Sequence, residues 1–489
     1  MSNSSISLFF LIIVSINHSL AQDLIWAKHL GSAGWENSHA LASDNQSNLF
    51  AIVNFTGIID VDPGPDSLIF NPKGTRDISI IKLNSSGDLV WAKQFGGKFS
   101  DQAFALAIDA HRDVYVTGYF RDTTDFDPGK KSQLLYGNKS PDAFLIKLDT
   151  HGNLIWATQV TQHADSTGLI TTYCLKLDAE NNIYLLGKFV GATDFDPSLK
   201  SLILKSKGAD DIFISKYDPK GKLIWVKQFG GQSEDEPYAM TMDREGNIYC
   251  TGSFTHQSDF DPGNSTYFLT AQDTTTDIFI LKLNNEGEFR WAKQISGRRY
   301  DIGYSICVDE QGNSYTAGTY ENQVDINPGP DSLIFLSENR SNGFVLSLNK
   351  EGDFRWARRI TGPDGMIPYA ISSLPGNNGG VYIAGEFSGE LHVDNQPEIA
   401  KLNTDGKLID LVVAKIDFNG QFKLLTNPGK GSPETIEVLS NKTEQVIFVG
   451  GEFSGHTEFD PNMPEFNFTS AGRLDVFILK ISDPSKANH

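Results

Sequence analysis

The phrase Trp-Ala-Lys and its near variants recur at Trp26, Trp91, Trp156, Trp225, Trp291 and Trp356, spaced by 65, 65, 69, 66 and 65 residues. A faded copy places Leu424 where the tryptophan would stand, 68 residues after Trp356. A fixed period of this length marks an architecture of stacked units, each burying its faces against its neighbours. Trp35 is the one tryptophan outside the series.

Four strand signals follow in fixed order within each unit. Strand A alternates small and apolar residues and ends at Asp, as in Ala105-Leu106-Ala107-Ile108-Asp109. Strand B follows a tight turn and reads, for example, Val114-Tyr115-Val116-Thr117-Gly118-Tyr119-Phe120. Strand C opens on Asp (Asp142 to Leu148, Asp475 to Ile481), and a turn ending in Gly87, Gly152, Gly221, Gly287, Gly352 or Gly420 leads into strand D with its tryptophan. Turn residues at these points suit tight hairpins. No segment has helical periodicity, and 45 glycines with 32 phenylalanines favour β-structure. The pattern predicts an all-β fold, a seven-bladed β-propeller with four antiparallel strands per blade. Repeats start near residues 37, 102, 171, 237, 302, 367 and 434. The last repeat lacks a D strand, and residues 24–30 supply one, so the N-terminal strand is expected to complete the last blade and close the ring. Residues 22–489 thus read as one domain.

Blades converge on an axis, so the innermost strand needs small side chains, and strand A has Ala40, Ala105, Ala239 and Ala370. Gly118, Gly187, Gly252, Gly318, Gly385 and Gly451 in strand B indicate close backbone approach. Cys174, Cys250 and Cys307 stand where other repeats have Ala, Thr or Val and read as small core residues. Three cysteines make no disulfide framework.

The apolar run from Leu8 to Ile16, followed by Ser19-Leu20-Ala21, reads as a secretory signal peptide over residues 1–21, although Met1 to Ser7 holds no Lys or Arg. The run is too short to span a bilayer, and no membrane span is expected elsewhere. A net charge of −20 excludes nucleic acid as a partner, since that role needs a basic footprint. The reading is a secreted, monomeric protein.

Trp91 to Gly97 spells Trp-Ala-Lys-Gln-Phe-Gly-Gly, Asp243 to Phe254 spells Asp-x-x-Gly-Asn-x-Tyr-x-x-Gly-x-Phe, and Asp277 to Leu283 spells Asp-x-Phe-x-x-Lys-Leu, with Asp-Phe-Asp-Pro-Gly between the last two. This wording resembles the SBBP repeat, the seven-bladed β-propeller repeat of secreted bacterial proteins, over essentially all of residues 22–489. The resemblance implies the fold and an extracytoplasmic location. It implies no defined activity, catalytic residue or ligand.

The B–C connection is 22 residues long in five repeats and 23 in two, a constancy that indicates structure, such as an extra strand at Ser67 to Phe70. Near its start stands an acidic motif: Asp60-Val61-Asp62, Asp125-Phe126-Asp127, Asp194-Phe195-Asp196, Asp259-Phe260-Asp261, Asp325-Ile326-Asn327 and Glu458-Phe459-Asp460, each followed by Pro. One reading is a ring of Ca²⁺ sites, as paired carboxylates suit a hard cation. The other is a type II turn with Pro and Gly at its corners, favoured because the motif lacks further oxygen ligands. Repeat 6 departs from the pattern with His392-Val393-Asp394.

The D–A connections carry Glu36, Asp101, Asp235 and Asp301, with Trp35, Tyr238, Tyr300 and Tyr369 nearby. Aromatic faces and carboxylates at a channel mouth form a candidate ligand site, and a solvated acidic rim is the plainer alternative. No G-x-S-x-G, HExxH, phosphate loop or CxxC occurs, and the histidines share no repeat position. The expectation is a non-catalytic binding or scaffold propeller, without cofactor, that engages an extracellular protein or glycan on the B–C/D–A face. A calcium-dependent adhesin and a polysaccharide lyase or glycoside hydrolase are the alternatives.

Overall fold

Tryptophan and glycine of successive repeats meet, and this contact sets the period. The indole Nε1 of Trp26 donates to the Ser85 carbonyl at 3.1 Å, that of Trp91 to Thr150 at 3.0 Å, that of Trp291 to Lys350 at 3.2 Å and that of Trp356 to Phe418 at 3.0 Å. Each acceptor lies in the C–D turn of the next repeat. The turn glycine must lie flat against the ring: a Cβ on Gly352 would stand 2.9 Å from Trp291, and one on Gly420 2.7 Å from Trp356. The tryptophans are therefore clamps between blades. Strands B and C are covered on both faces by neighbouring sheets, and Leu49–Phe55 and Asp77–Leu83 are buried throughout.

The computed structural model of the chain describes residues 24–483 apart from 164–167, 197–199, 273–274, 338–340, 363–364, 375–379, 395–401, 404–408, 441–444 and 461–462. The signal peptide expected at residues 1–21 lies outside the described residues, as does the side chain of Leu424. The described residues form antiparallel sheets arranged as a β-propeller, each running A-B-C-D from the axis outward, as in Gln102–Ile108, Val114–Phe120, Asp142–Leu148 and Leu154–Gln159. Leu24–Leu30 pairs antiparallel with Asp475–Ser482, with Trp26 opposite Lys480, and joins the first strand to the last sheet.

The seven regular four-stranded blades expected from the sequence are corrected to six. Six sheets contain four unbroken strands; in the first repeat strand A is split into Glu36–Asn37 and Leu41–Ser43. The cause lies in strand B. In the six regular blades a glycine faces strand A, and a Cβ on Gly118, Gly252 or Gly318 would stand 2.0, 2.0 and 2.1 Å from the carbonyl oxygens of Gln102, Glu236 and Ile302. The first repeat has Val53 at this place, buried in the core, and strand A cannot approach it as closely.

The count of four strands per blade is also exceeded. Three sheets are six-stranded and one is seven-stranded, because hairpins of the B–C connections add beyond strand D. Thr123–Asp125 pairs with Leu134–Tyr136 and also with Gly96 and Gly97 of the preceding repeat. Equivalent hairpins at Gln257–Asp259, Gln323–Asp325 and Glu390–Val393 do the same. The B–C connections are thus laid on the outer wall. Tyr136, Ile203, Phe268, Ile334 and Leu336 of these hairpins are exposed, as are Val90, Ile155 and Ile224 of strand D.

Candidate functional site

The close approach at each strand B glycine has a second effect. The ladder between strands A and B slips by one residue, leaving one strand A residue unpaired at Phe104, Tyr173, Tyr238, Tyr304, Tyr369 and Glu434. A bulge of this kind re-aims the side chain it releases. In the first repeat the break itself holds the equivalent residue, His39. Strand A is innermost, so these side chains meet around the axis near the D–A end. Ring centroids of His39 and Phe104 lie 5.1 Å apart, Phe104 and Tyr173 6.3 Å, Tyr173 and Tyr238 6.5 Å, Tyr238 and Tyr304 5.5 Å, and Tyr304 and Tyr369 5.4 Å. His39 Nδ1 lies 3.7 Å from Glu434 Oε2 and brings the ring back to its start.

Polar groups of strands A and B and of the B–C connections surround this ring. Tyr369 Oη donates to Glu386 Oε1 at 3.1 Å, and Tyr173 Oη to Glu236 Oε2 at 3.5 Å. Lys188 pairs with Glu236 and lies 3.6 Å from Asp210. Arg76 Nη1 donates to Gln102 Oε1 at 3.1 Å, and Gln102 Nε2 is 3.0 Å from His39 Nε2. Burial pushes the Tyr238 hydroxyl up to about 12 and raises Tyr173 and Tyr369, so the phenols remain protonated donors. Burial also pushes Glu452 up to about 8, the Glu434 charge adding to the rise and Arg76 opposing it. Glu386 is raised first by burial, against hydrogen bonds from Ser432 and Tyr369. The mouth is an aromatic ring with acceptors and donors set between its faces, an arrangement suited to binding a polyhydroxylated ligand by stacking and hydrogen bonding.

Of the residues expected at this site, Tyr238 and Tyr369 are in the ring. Trp35 and Tyr300 are at exposed tips of D–A connections, Trp35 with the Arg473 guanidinium 5.8 Å from its ring. Glu36, Asp101, Asp235 and Asp301 are buried; the first three are bound into their own D–A connections, and Asp301 accepts from the Glu321 N–H at 3.2 Å. Asp101 accepts from the N–H groups of Gly97 at 2.6 Å and Arg121 at 3.1 Å, and from Thr124 Oγ1 at 3.4 Å. Asp235 accepts from Gly231 N–H at 2.7 Å and Ser258 Oγ at 2.6 Å, and Glu36 from Ser32 Oγ at 2.6 Å and Ser32 N–H at 2.9 Å. These carboxylates brace turns. His39, Phe104, Tyr173, Tyr304, Glu386, Glu434 and Glu452 were missed because their residue types vary. The available signal was spacing: the ring positions from His39 to Glu434 are separated by 65, 69, 65, 66, 65 and 65 residues.

In the acidic motif the first carboxylate holds the hairpin together. Oδ1 of Asp60 accepts from the N–H groups of Asp62 at 3.1 Å and Leu68 at 2.9 Å, and Asp125, Asp194, Asp259 and Asp325 repeat the pair. Burial acts to raise Asp60, but the Leu68 N–H, the Ser67 hydroxyl and the Asp62 N–H together hold it below the usual range. The second residue accepts from the N–H two positions on: Asp62 from Gly64 at 2.8 Å, Asp127 from Gly129 at 2.7 Å and Asp261 from Gly263 at 2.8 Å. Neutral Asn327 makes the same bond to Gly329 at 2.9 Å, so the bond does not require charge. Among the described residues no group of three or more His, Cys, Asp or Glu gathers to hold a metal ion. Glu458 is exposed beside His456, and Asp196 and Asp460 precede Pro197 and Pro461, which lie outside the described residues. In repeat 6 Asp394 instead pairs with Arg359 at 3.0 Å.

Residues 224–260 and 290–319 match the family model for the SBBP β-propeller repeat. An uncharacterized WD repeat-containing protein, L264, of Acanthamoeba polyphaga mimivirus is 22% identical over 76% of this chain and 32% of its own length. The regulatory protein FlaEY of Caulobacter vibrioides is 23% identical over 53% of this chain and 27% of its own. The chain spans about a third or less of the length of these curated relatives. The crystal structure of the polysaccharide lyase Uly1 is 11% identical, covers 91% of this chain and 90% of its own, and superposes with a TM-score of 0.42. At that score it transfers no activity.

Proposed function

We propose that this chain, built from β-propeller repeats of the SBBP family, is an extracytoplasmic, non-catalytic binding protein that holds a glycan on the aromatic ring at the axial mouth. The observation that carries the reading is the repeated bulge, which points a ring side chain at the axis in five successive repeats, from Phe104 to Tyr369. Stacking on several faces at fixed spacing suits a polymer with repeated sugar units, and the fixed donors and acceptors suit its hydroxyl groups. The apolar run and small residues at 8–21 support export. The test is a glycan array followed by calorimetry on each hit. Tyr238→Ala and Tyr304→Ala should each weaken binding by roughly fivefold, since stacking on one face is worth about 1 kcal/mol. Undiminished binding in both, with unchanged melting, moves the ligand off the mouth.

A further inference from the structure

The rim of D–A connections reads as acidic in the sequence, and the fold reverses it. Glu36, Asp101, Asp235 and Asp301 are turned inward and buried, while Trp35, Phe99 and Tyr300 are exposed at tips of these connections. Basic groups stand beside the aromatics. The Arg473 guanidinium lies 5.8 Å from the Trp35 ring and Lys98 Nζ 5.9 Å from the Phe99 ring, and exposed Arg298 and Arg299 precede Tyr300. On the opposite face Lys147 pairs with Asp109 and Asp113, and Lys216 with Asp178. Among the described residues Lys98, Arg298, Arg299 and Arg473 form no ion pair, although the chain carries 61 acidic residues against 41 Lys and Arg. The tip leading into the fourth repeat instead exposes Glu234.

The Trp35 tip is braced by three segments. Its N–H donates to Thr56 Oγ1 at 2.7 Å, Trp35 forms a parallel bridge with Leu474 of the last repeat, and the Glu36 N–H donates to the Leu474 carbonyl at 3.1 Å. Glycines let the segments close on one another: a Cβ on Gly34 would stand 2.4 Å from Thr56 Oγ1, and one on Gly472 2.3 Å from the Ser32 carbonyl oxygen. Trp35 and Arg473 both depart from the repeat. Ser100, Glu234 and Tyr300 hold the place of the first, and Thr75, Ser140, Ala209 and Thr275 that of the second. Two departures from different repeats therefore meet on one tip. An exposed indole offers a face for stacking a sugar ring, and an unpaired guanidinium offers parallel N–H donors to an oxyanion. Trp35 is four residues from His39 of the axial ring, at most about 14 Å of chain.

Resting on the glycan reading above, we propose that the Trp35–Arg473 tip binds an anionic sugar unit as the glycan leaves the axial mouth, so that the ligand is an acidic polysaccharide. The sugar ring lies on the indole, and its carboxylate or sulfate pairs with the Arg473 guanidinium.

The experiment titrates a galacturonate hexamer, its methyl ester, a sulfated galactan hexamer and hexaglutamate by calorimetry. The expected result is about tenfold tighter binding of a charged sugar than of the methyl ester, the tighter of the two charged sugars naming the anion. Arg473→Gln should erase that preference and leave binding of the methyl ester unchanged. The side chain is exposed, so melting should not move. Arg473→Lys, which keeps the charge and loses the fork, should restore part of the preference. Trp35→Ala should weaken binding of the charged sugar about fivefold. Equal binding of charged and neutral sugars, binding of neither charged sugar, or a preference that survives Arg473→Gln overturns the proposal. Hexaglutamate binding as tightly as the charged sugars, with the same loss in Arg473→Gln, overturns the sugar assignment. The axial reading fails separately, when Tyr238→Ala and Tyr304→Ala leave binding of every sugar intact while Arg473→Gln still removes the preference.

Discussion

Asp301 shows how finely a repeated carboxylate depends on its neighbours. At the place of Thr124 and Ser258, whose hydroxyls bond Asp101 and Asp235, the fifth repeat has Val324. Asp301 keeps the Glu321 N–H at 3.2 Å, and its Oδ2 has no hydrogen-bond partner. Burial pushes all three up, and the pull of the donors orders them: Asp101 to about 6, Asp235 to about 7 and Asp301 to about 8. The folded protein therefore keeps protons that the unfolded chain releases. Stability from this source is complete below about pH 4 and is lost as pH rises to about 8. Val324→Thr should return the hydroxyl, lower Asp301 and add about 1 kcal/mol above neutral pH. Urea midpoints at about pH 5 and about pH 9 measure it; an unchanged slope would exclude Asp301 as the source. These carboxylates looked like rim groups in the sequence because charge usually marks exposure. Their burial depends on backbone N–H groups that no residue type announces.

The inner strand is the element that makes the site, and its geometry is set from the strand beside it. Gly252 allows the Glu236 carbonyl to approach to a distance a side chain would forbid, and Tyr238 is released by the resulting slip. Gly252→Ala should cost about 1–3 kcal/mol by overpacking and should weaken axial binding together with stability. Urea unfolding paired with ligand titration checks this. A variant that loses stability yet keeps full affinity would falsify the link between glycine and display. Strand D makes the complementary case. Trp91 bonds Thr150 and packs on Gly152, so Trp91→Ala should cost about 3 kcal/mol, read from the denaturation midpoint. The residues of this clamp stood out in the sequence because the tryptophan recurs in six of the seven repeats and a glycine ends each C–D turn, although the contact between them was not itself readable. The ring did not stand out, because a bulge is a backbone event and its released residue is free to be His, Phe, Tyr or Glu. Its trace was Val53 in a column of glycines, which also marked where a regular blade would fail.

At the scale of the molecule, the pairing of Leu24–Leu30 with Asp475–Ser482 gives the last sheet its fourth, outer strand and covers the edge of Asp475–Ser482, and Trp26 carries the clamp to Ser85. Removing residues 24–30 should expose the edge of Asp475–Ser482 and produce oligomers by edge pairing. Size-exclusion chromatography tests this, and a strictly monomeric product would count against it. The period and the surplus strand at the N-terminus made this pairing readable in advance. The outward placement of the B–C hairpins was not readable, since equal length shows order without direction.

The same pairing has a consequence for how the protein is made. Leu24–Leu30 is synthesised before all seven repeats, yet its partner Asp475–Ser482 lies in the last of them. Leu24–Leu30 must remain without its hydrogen-bonding neighbour while every intervening blade is produced, and the pairing waits for Asp475–Ser482 to be made.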